Sequence, residues 1–362
     1  EDGGARLLED GTPYLGPDAI AALPEPERLL GYLPYQPGMA LFGVPRAAFG
    51  VAWWTDARIW FAVATAVALL LAVGVLGGRG PVAAAALVRA VQAATVLPLC
   101  ALTLATGGDD LPVLALCLLA LALSTGSRFG GAGVAAGLAG ALKLFAWPVT
   151  LVLLVHTAAL GRGPGLSPIK DSSVDQGLGV ADRRSDHDNT SLIDGAKGGR
   201  GGWRGRWRGG ARFALGALGI PVAALVPAVL VDAAAAAENV LRFPLGRGLV
   251  DSPAQSPFPG HLVATGLPGG RAMAAGLLVA AGVAIAVLLV RRPPRTASSA
   301  ALFCASGLLA AILLMPSTRF GYLLYPAAFA AWAPALRGAP ADPPGAGEIG
   351  RPAAAVHRVG ST

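Results

Sequence analysis

Three segments of the chain, residues 213–231, 272–290 and 296–318, carry no charged side chain, and residues 59–160 carry only Arg79, Arg89, Asp109, Asp110, Arg128 and Lys143. Uncharged apolar runs of about 18 residues or more match the hydrocarbon thickness of a bilayer, which accepts only a backbone whose hydrogen bonds close within a helix. Over the whole chain 14% of the 362 residues are charged and 54% hydrophobic, with a mean hydropathy of +0.60. Soluble domains carry about 25% charged residues, so an ordinary water-soluble enzyme is excluded. The pattern predicts an all-α, polytopic transmembrane helical bundle. The net charge of +7 needs no nucleic acid to explain it, because the basic residues sit in loops and at span ends. Cys100, Cys117 and Cys304 lie in apolar runs without CxxC or Cys/His spacing, which gives neither a disulfide nor a zinc site.

Residues 1–58 are rich in Pro, Gly and aromatics and read as an ordered loop at the membrane surface. They precede the first apolar run and imply that an N-terminal span or a different start lies upstream. Trp53, Trp54 and Trp60 bracket the entry to a span, where amphipathic rings prefer to sit. Spans are expected at 59–77, 81–106 and 111–125 within a transmembrane unit of residues 59–160. The stretch 132–160, interrupted by Lys143 and by Trp147-Pro148, reads as two half-helices forming a hairpin, because proline removes a helical hydrogen bond and disfavours helix at its predecessor. The loop 161–212 holds ten Lys/Arg against six Asp, is too poor in apolar residues to fold alone and is expected to be disordered. Further spans at 213–231, 272–290, 298–315 and 322–336 form a second unit, 213–337, with a loop at 232–270, and a Pro/Ala/Gly-rich tail of 338–362 is expected to be unstructured. The positive-inside rule puts loop 161–212 and the C-terminus in the cytoplasm. Residues 1–58, 107–110, 143–148, 232–270 and 316–321 then face outward. Gly133 and Gly137 have the GxxxG spacing of close helix packing.

Few residues on that outer side can carry chemistry. Asp109 and Asp110 form a carboxylate pair in a Gly turn, suited to a general base or a cation and equally to a solvated turn. Lys143, one of three lysines in the chain, stands in an apolar run, where a charge is a functional-site hypothesis by default; it can reach an anionic lipid headgroup or snorkel to the interface. Loop 232–270 supplies Glu238, Arg242 and His261 among regularly spaced prolines, either over a pocket or as a purely structural loop. Arg319, Tyr322 and Tyr325 start a helix where phosphate can be bound, although an aromatic belt would also produce the tyrosines. Gly131-Ala132-Gly133 follows no strand and is no dinucleotide site. Asn189-Thr190-Ser191 matches a glycosylation triplet but falls on the predicted cytoplasmic side. No residue set calls for a metal.

Gly11-Thr12-Pro13-Tyr14, the run Tyr32-Leu33-Pro34-Tyr35-Gln36-Pro37-Gly38, the Leu142-Lys143 hairpin ending in Pro148, and the segment from Arg319 to Pro326 together resemble the C-type superfamily of integral-membrane glycosyltransferases. Within it they are most similar to the bacterial polyprenol-phosphate-mannose-dependent mannosyltransferases of actinobacteria. The likeness spans most of the chain outside 161–212 and the tail. It implies a glycosyltransferase C-like bundle in the bacterial plasma membrane. It also implies a polyprenyl-phosphate sugar, mannose, as donor and a glycan or glycolipid as acceptor; beyond that donor no cofactor is assigned, a divalent metal being open but without a residue set behind it, and no nucleic-acid partner is expected. An acid in the first outer loop is the family's usual base, and cations hold the lipid phosphate. Here the usual acid would fall upstream of Gly11-Thr12-Pro13-Tyr14, so Asp109 and Asp110 are the acids within the chain that fit the role. Arg319, Lys143 and Arg242 are assigned to the phosphate, and His261, Tyr322, Tyr325 and Tyr35 to the substrate. A transporter or lipid flippase built on the broken helix, and a non-catalytic scaffold recruiting partners through loop 161–212, are the competing readings.

Overall fold

The structure, a computed structural model, describes residues 1–78, 80–161, 191–251 and 253–337. Arg79, most of loop 161–212, the first two residues of the Asn189-Thr190-Ser191 triplet and the tail from 338 lie outside the described residues. The described part is helical, as its composition predicts. Its only bridge outside helices is an isolated parallel pair, Gln255 with Thr318.

The first 56 residues fold as short helices, α1 (Asp2–Glu9), α2 (Pro17–Ala22) and α3 (Val44–Phe49), with 3-10 turns at Glu25–Gly31 and Pro37–Gly43. Asp56 then caps α4 (Ala57–Leu76) by accepting from the Arg58 N–H at 2.9 Å. The expected second span is broken into α5 (Pro81–Thr95) and α6 (Pro98–Ala105), bent by 53°. The cause is Pro98: Leu97 before it leaves the helical region, as residues before proline tend to. Asp110 opens α7 (Asp110–Thr125), and Arg128 precedes α8 (Phe129–Leu142).

The hairpin predicted at 132–160 is present, and its break falls at Lys143. This residue is extended, Leu144–Ala146 form one 3-10 turn, and α9 (Trp147–Gly161) follows. Pro148 therefore lies in the first turn of α9, where its missing N–H leaves no bond unmade. The next helix, α10 (Ser191–Val231), begins well before the expected 213. This helix also continues through Pro221 and Pro227. The chain continues through α11 (Ala233–Ala237), a π-turn at Glu238–Arg242, α12 (Pro259–Gly266), α13 (Gly270–Arg291), α14 (Ala297–Leu314) and α15 (Leu324–Trp332).

Among the described residues four helices are long and apolar enough to cross a membrane: α4, the Gly209–Val231 part of α10, α13 and α14. The bent pair α5 and α6 makes a fifth if it is one span. Helix α7 is shorter but central. It is buried from Leu111 to Ala115 and from Cys117 to Ala122, and packs on α4, α8, α14 and α15. Only 11% of the most apolar window of α13 is buried, so this helix turns its apolar surface outward, as a lipid-facing helix does.

Small residues let α8 and α10 touch through their backbones. A Cβ added at Gly137 would run into the Gly216 carbonyl oxygen, and one at Gly216 would lie 2.7 Å from the Val134 nitrogen. The GxxxG pair is thus a helix contact. Gly137→Ala should force the two helices apart and destabilise the bundle by about 1–3 kcal/mol. The lipid-side control Gly276→Ala, where a Cβ meets nothing within 4 Å, should leave the thermal midpoint in detergent unchanged or slightly raised.

Candidate active site

The site forms where the N-terminus of α7 meets the tip of the α8–α9 hairpin. A Gly turn delivers the acids. Gly107 has φ +69° and lies against the Arg58 side chain, where a Cβ would approach Arg58 Cγ too closely to fit, and the chain then reaches Asp109 at the N-cap position and Asp110 in the first turn of α7. Carboxylates are favoured there by the positive end of the helix dipole. Lys143 arrives from the other side because its extended backbone ends α8. Its Nζ lies 2.6 Å from Asp110 Oδ1 and 3.3 Å from Asp109 Oδ2. The side chains are 7% exposed for Lys143, 13% for Asp110 and 23% for Asp109, so the pairing takes place largely out of water.

Aromatic side chains complete the enclosure. The ammonium sits 5.1 Å from the ring centroids of both Tyr35 and Tyr322 and 6.0 Å from that of Phe145. Tyr325, fully buried on α15, donates to Asp110 Oδ1 at 2.8 Å. Burial first, and then the neighbouring Asp109 charge, hold the Tyr35 phenol well above the ordinary range. The loop carrying Tyr35 is seated on the hairpin by the Gln36 N–H, which donates to the Leu142 carbonyl at 3.1 Å. It is seated also by Gly38, where a Cβ would lie 2.6 Å from the Ala141 oxygen. The Tyr14 hydroxyl ties the same loop at the Tyr35 carbonyl, 2.8 Å away.

A cavity of about 240 Å³ opens beside this cluster. Asp109 and Tyr35 line it together with Leu33, Phe42 and Phe61, five glycines and Glu1, whose carboxylate is 3.1 Å from the Arg46 guanidinium. Asp110 and Lys143 do not line it. The two acids therefore differ: Asp110 is held by Lys143 and Tyr325, whereas Asp109 has the longer contact to Lys143 and faces open space.

Six of the nine residues given a catalytic, phosphate or substrate role from the sequence, Asp109, Asp110, Lys143, Tyr35, Tyr322 and Tyr325, meet in this one cluster. Lys143, expected at a lipid phosphate, is instead engaged by two carboxylates. Arg319 stands next to the cluster: its carbonyl accepts from the Tyr322 N–H at 3.1 Å, and its charge acts on the Tyr322 phenol. Among the described residues its exposed guanidinium has no hydrogen bond or ion pair. Arg242 is not at the cluster; it lies 3.5 Å from Glu238 and is 65% exposed. His261 Nδ1 is 3.0 Å from the Pro316 carbonyl and joins its loop to the Arg319 segment, as do the Ser256 N–H to Thr318 carbonyl bond and the Phe258–Phe320 ring contact.

Glu238, expected only as a loop acid, forms with Asn239 a clamp on the N-terminal loop. Glu238 accepts from the Tyr32 hydroxyl at 2.7 Å, and Asn239 accepts from the Leu33 N–H and donates to the Leu15 carbonyl. Burial and the Glu238 contact push the Tyr32 phenol up to about 12. The signal available was two adjacent polar residues in an otherwise apolar stretch. Nothing local could have marked Glu1 or Phe61 as cavity lining. Among the described residues no group of three or more His, Cys, Asp or Glu is placed to hold a metal.

Fold and site together define a polytopic helical membrane protein with an acid–lysine cluster at one end of the bundle. Residues 32–162, a little over a third of the chain, match the model of glycosyltransferase family 87. The matched stretch carries Tyr35, Asp109, Asp110 and Lys143, and it supports a membrane glycosyltransferase. No curated protein and no solved structure shows significant similarity to the chain.

If Lys143 is what allows two carboxylates to stand side by side here, Lys143→Met should lower stability by roughly 3 kcal/mol, the scale of a buried charge left unpaired. In an Asp109→Asn/Asp110→Asn background the same substitution should cost far less. Thermal midpoints of the four proteins in one detergent give the comparison.

Proposed function

We propose that the protein transfers a sugar, mannose by resemblance, from a polyprenyl-phosphate donor to an acceptor hydroxyl at the extracytoplasmic face of the bacterial plasma membrane. The observation that carries this reading is the placement of Asp109: an acid with one side open to a cavity and the other beside Lys143, inside the segment that matches a glycosyltransferase family. The facing is supported by charge. Loop 161–212 follows the end of α9 remote from the cluster and holds ten Lys/Arg. With Arg128, Arg291, Arg292, Arg295 and Arg337 it exceeds the arginines of the site end, such as Arg58, Arg242, Arg247, Arg271 and Arg319, and such an excess marks a cytoplasmic face.

In the proposed step the acceptor hydroxyl enters the cavity and gives its proton to Asp109 as its oxygen attacks the anomeric carbon. The bond from that carbon to the phosphate oxygen breaks, and polyprenyl phosphate leaves with the electron pair. The configuration inverts. Asp110 and Lys143 do not touch substrate; Lys143 neutralises part of the Asp109 charge, and Asp110 holds the ammonium in place. The leaving phosphate needs a cation. Lys143 with its two carboxylates is a trio of net charge −1, which repels phosphate, so this role falls to Arg319, whose planar fork suits two phosphate oxygens.

Transfer from a radiolabelled polyprenyl-phosphate hexose by the purified protein in lipid tests the assignment. Asp109→Asn should lower kcat by about 10²–10⁴-fold, the usual contribution of a general base, with donor KM little changed. Arg319→Ala should raise donor KM, with Arg319→Lys recovering part of the loss. Full activity in a folded Asp109→Asn protein would remove Asp109 from the chemistry.

A further inference from the structure

We infer that the turn of residues 49–54 is immersed in the lipid leaflet at the site end of the bundle, at the boundary between headgroups and acyl chains. Phe49, Val51, Trp53 and Trp54 project from it, with Val51 83% and Trp53 79% exposed. Monomeric soluble surfaces rarely gather large apolar side chains in this way. The turn is also rigid. Gly50 takes φ +74°, a conformation that favours glycine. The buried Thr55 hydroxyl accepts from the Ala52 N–H at 2.9 Å and lies 2.8 Å from the carbonyls of Gly50 and Ala52. The apolar side chains are therefore presented on a fixed backbone.

Three features favour lipid as the occupant. The first is continuity: the Trp60 indole N–H donates to the Trp54 carbonyl at 2.9 Å, so the turn rests on the first turn of α4. From there Trp60, Val63, Val67 and Leu70 form an exposed apolar stripe down the helix at the three- and four-residue spacing of one face. A stripe that faces acyl chains runs directly into the patch. The second is charge: the ionic groups bordering the turn are paired, Arg58 with Asp56 at 2.6 Å and Arg46 with Glu1 at 3.1 Å. The third is residue type, since tryptophans prefer the interface.

The same helical turn that carries Trp60 outward carries Ala57 and Phe61 inward, onto the cavity. Immersion of the patch therefore fixes the cavity at headgroup depth. On the proposed activity, which this one consequence rests upon, a polyprenyl phosphate reaches the cavity without its chain leaving the bilayer. Immersion itself does not depend on that activity.

Nitroxide labels at Val51→Cys and Trp53→Cys, in the full chain reconstituted into phospholipid nanodiscs, give the depth directly from collision with oxygen and with a water-soluble nickel chelate. The native cysteines are buried and provide a low background, checked with the unsubstituted protein. Val67→Cys on the α4 stripe calibrates lipid, and the exposed Asp18→Cys calibrates water. Labels at 51 and 53 should show an oxygen-to-nickel collision ratio several-fold above that at 18 and closer to that at 67. A ratio equal to that at 18 overturns the inference, and so does shielding from both reagents, which would mean protein covers the patch. Two sites guard against one substitution misfolding, and neither readout requires sugar transfer.

Discussion

The contact of Lys143 with Asp110 and Asp109 joins elements of this molecule that are far apart in sequence. Through it the hairpin tip between α8 and α9 is fastened to the N-terminus of α7, and through Tyr325 the same carboxylate reaches α15. Two neighbouring carboxylates repel each other, and a lysine among apolar side chains is poorly solvated. Each defect is relieved by the other, provided the geometry is good, and here the shorter ion contact is 2.6 Å with an added phenol donor. The arrangement also makes two chemically identical residues different. Asp110 has the closer lysine and the tyrosine, while Asp109 keeps the weaker contact and the cavity.

Much of this was legible in the sequence because hydrocarbon makes polar residues conspicuous. Asp109, Asp110 and Lys143 stood out as charges in a stretch with almost none, and the hairpin was expected from Lys143 and Pro148. What could not be read was their pairing across 33 positions, because it depends on how the hairpin docks, and local periodicity carries no register between elements. Lys143 alone therefore suggested a headgroup ligand, where the structure gives it carboxylates. The bend at Pro98 was readable by the rule that located the hairpin, yet the uninterrupted apolar run around it favours one straight span. The cavity was out of reach altogether. Apart from Asp109 and Tyr35, which the sequence did bring forward, its walls are mostly glycines and apolar side chains such as Phe42 and Phe61, which advertise no ligand.

The small residues explain how such a site is held in a bundle whose helices gain little from burying apolar surface against one another in lipid. Association there rests on close packing and on interhelical polar contacts. Both are present and they are spatially divided. Gly133, Gly137 and Gly216 bring the backbones of α8 and α10 together along their length, whereas the charged and tyrosine contacts gather at the end of α8, where Lys143 leaves the helix. The packing sets where the hairpin tip lies, and the ion pair then selects its orientation.

That division bears on which cation can serve a charged ligand. A buried ammonium is matched when no ligand is bound, since leaving it unpaired would cost about 3–5 kcal/mol out of a total stability of about 5–15 kcal/mol; Lys143 is matched, twice. Arg242, although exposed, is drawn to the buried Glu238. Arg319 alone of the three expected phosphate ligands is both exposed and without a partner among the described residues. Water can solvate it in the resting protein, and an incoming anion has no intramolecular rival to displace. A membrane protein can hold a cation in reserve only where solvent reaches it, and on the function proposed above Arg319, next to Tyr322, is the expected phosphate ligand that meets this condition.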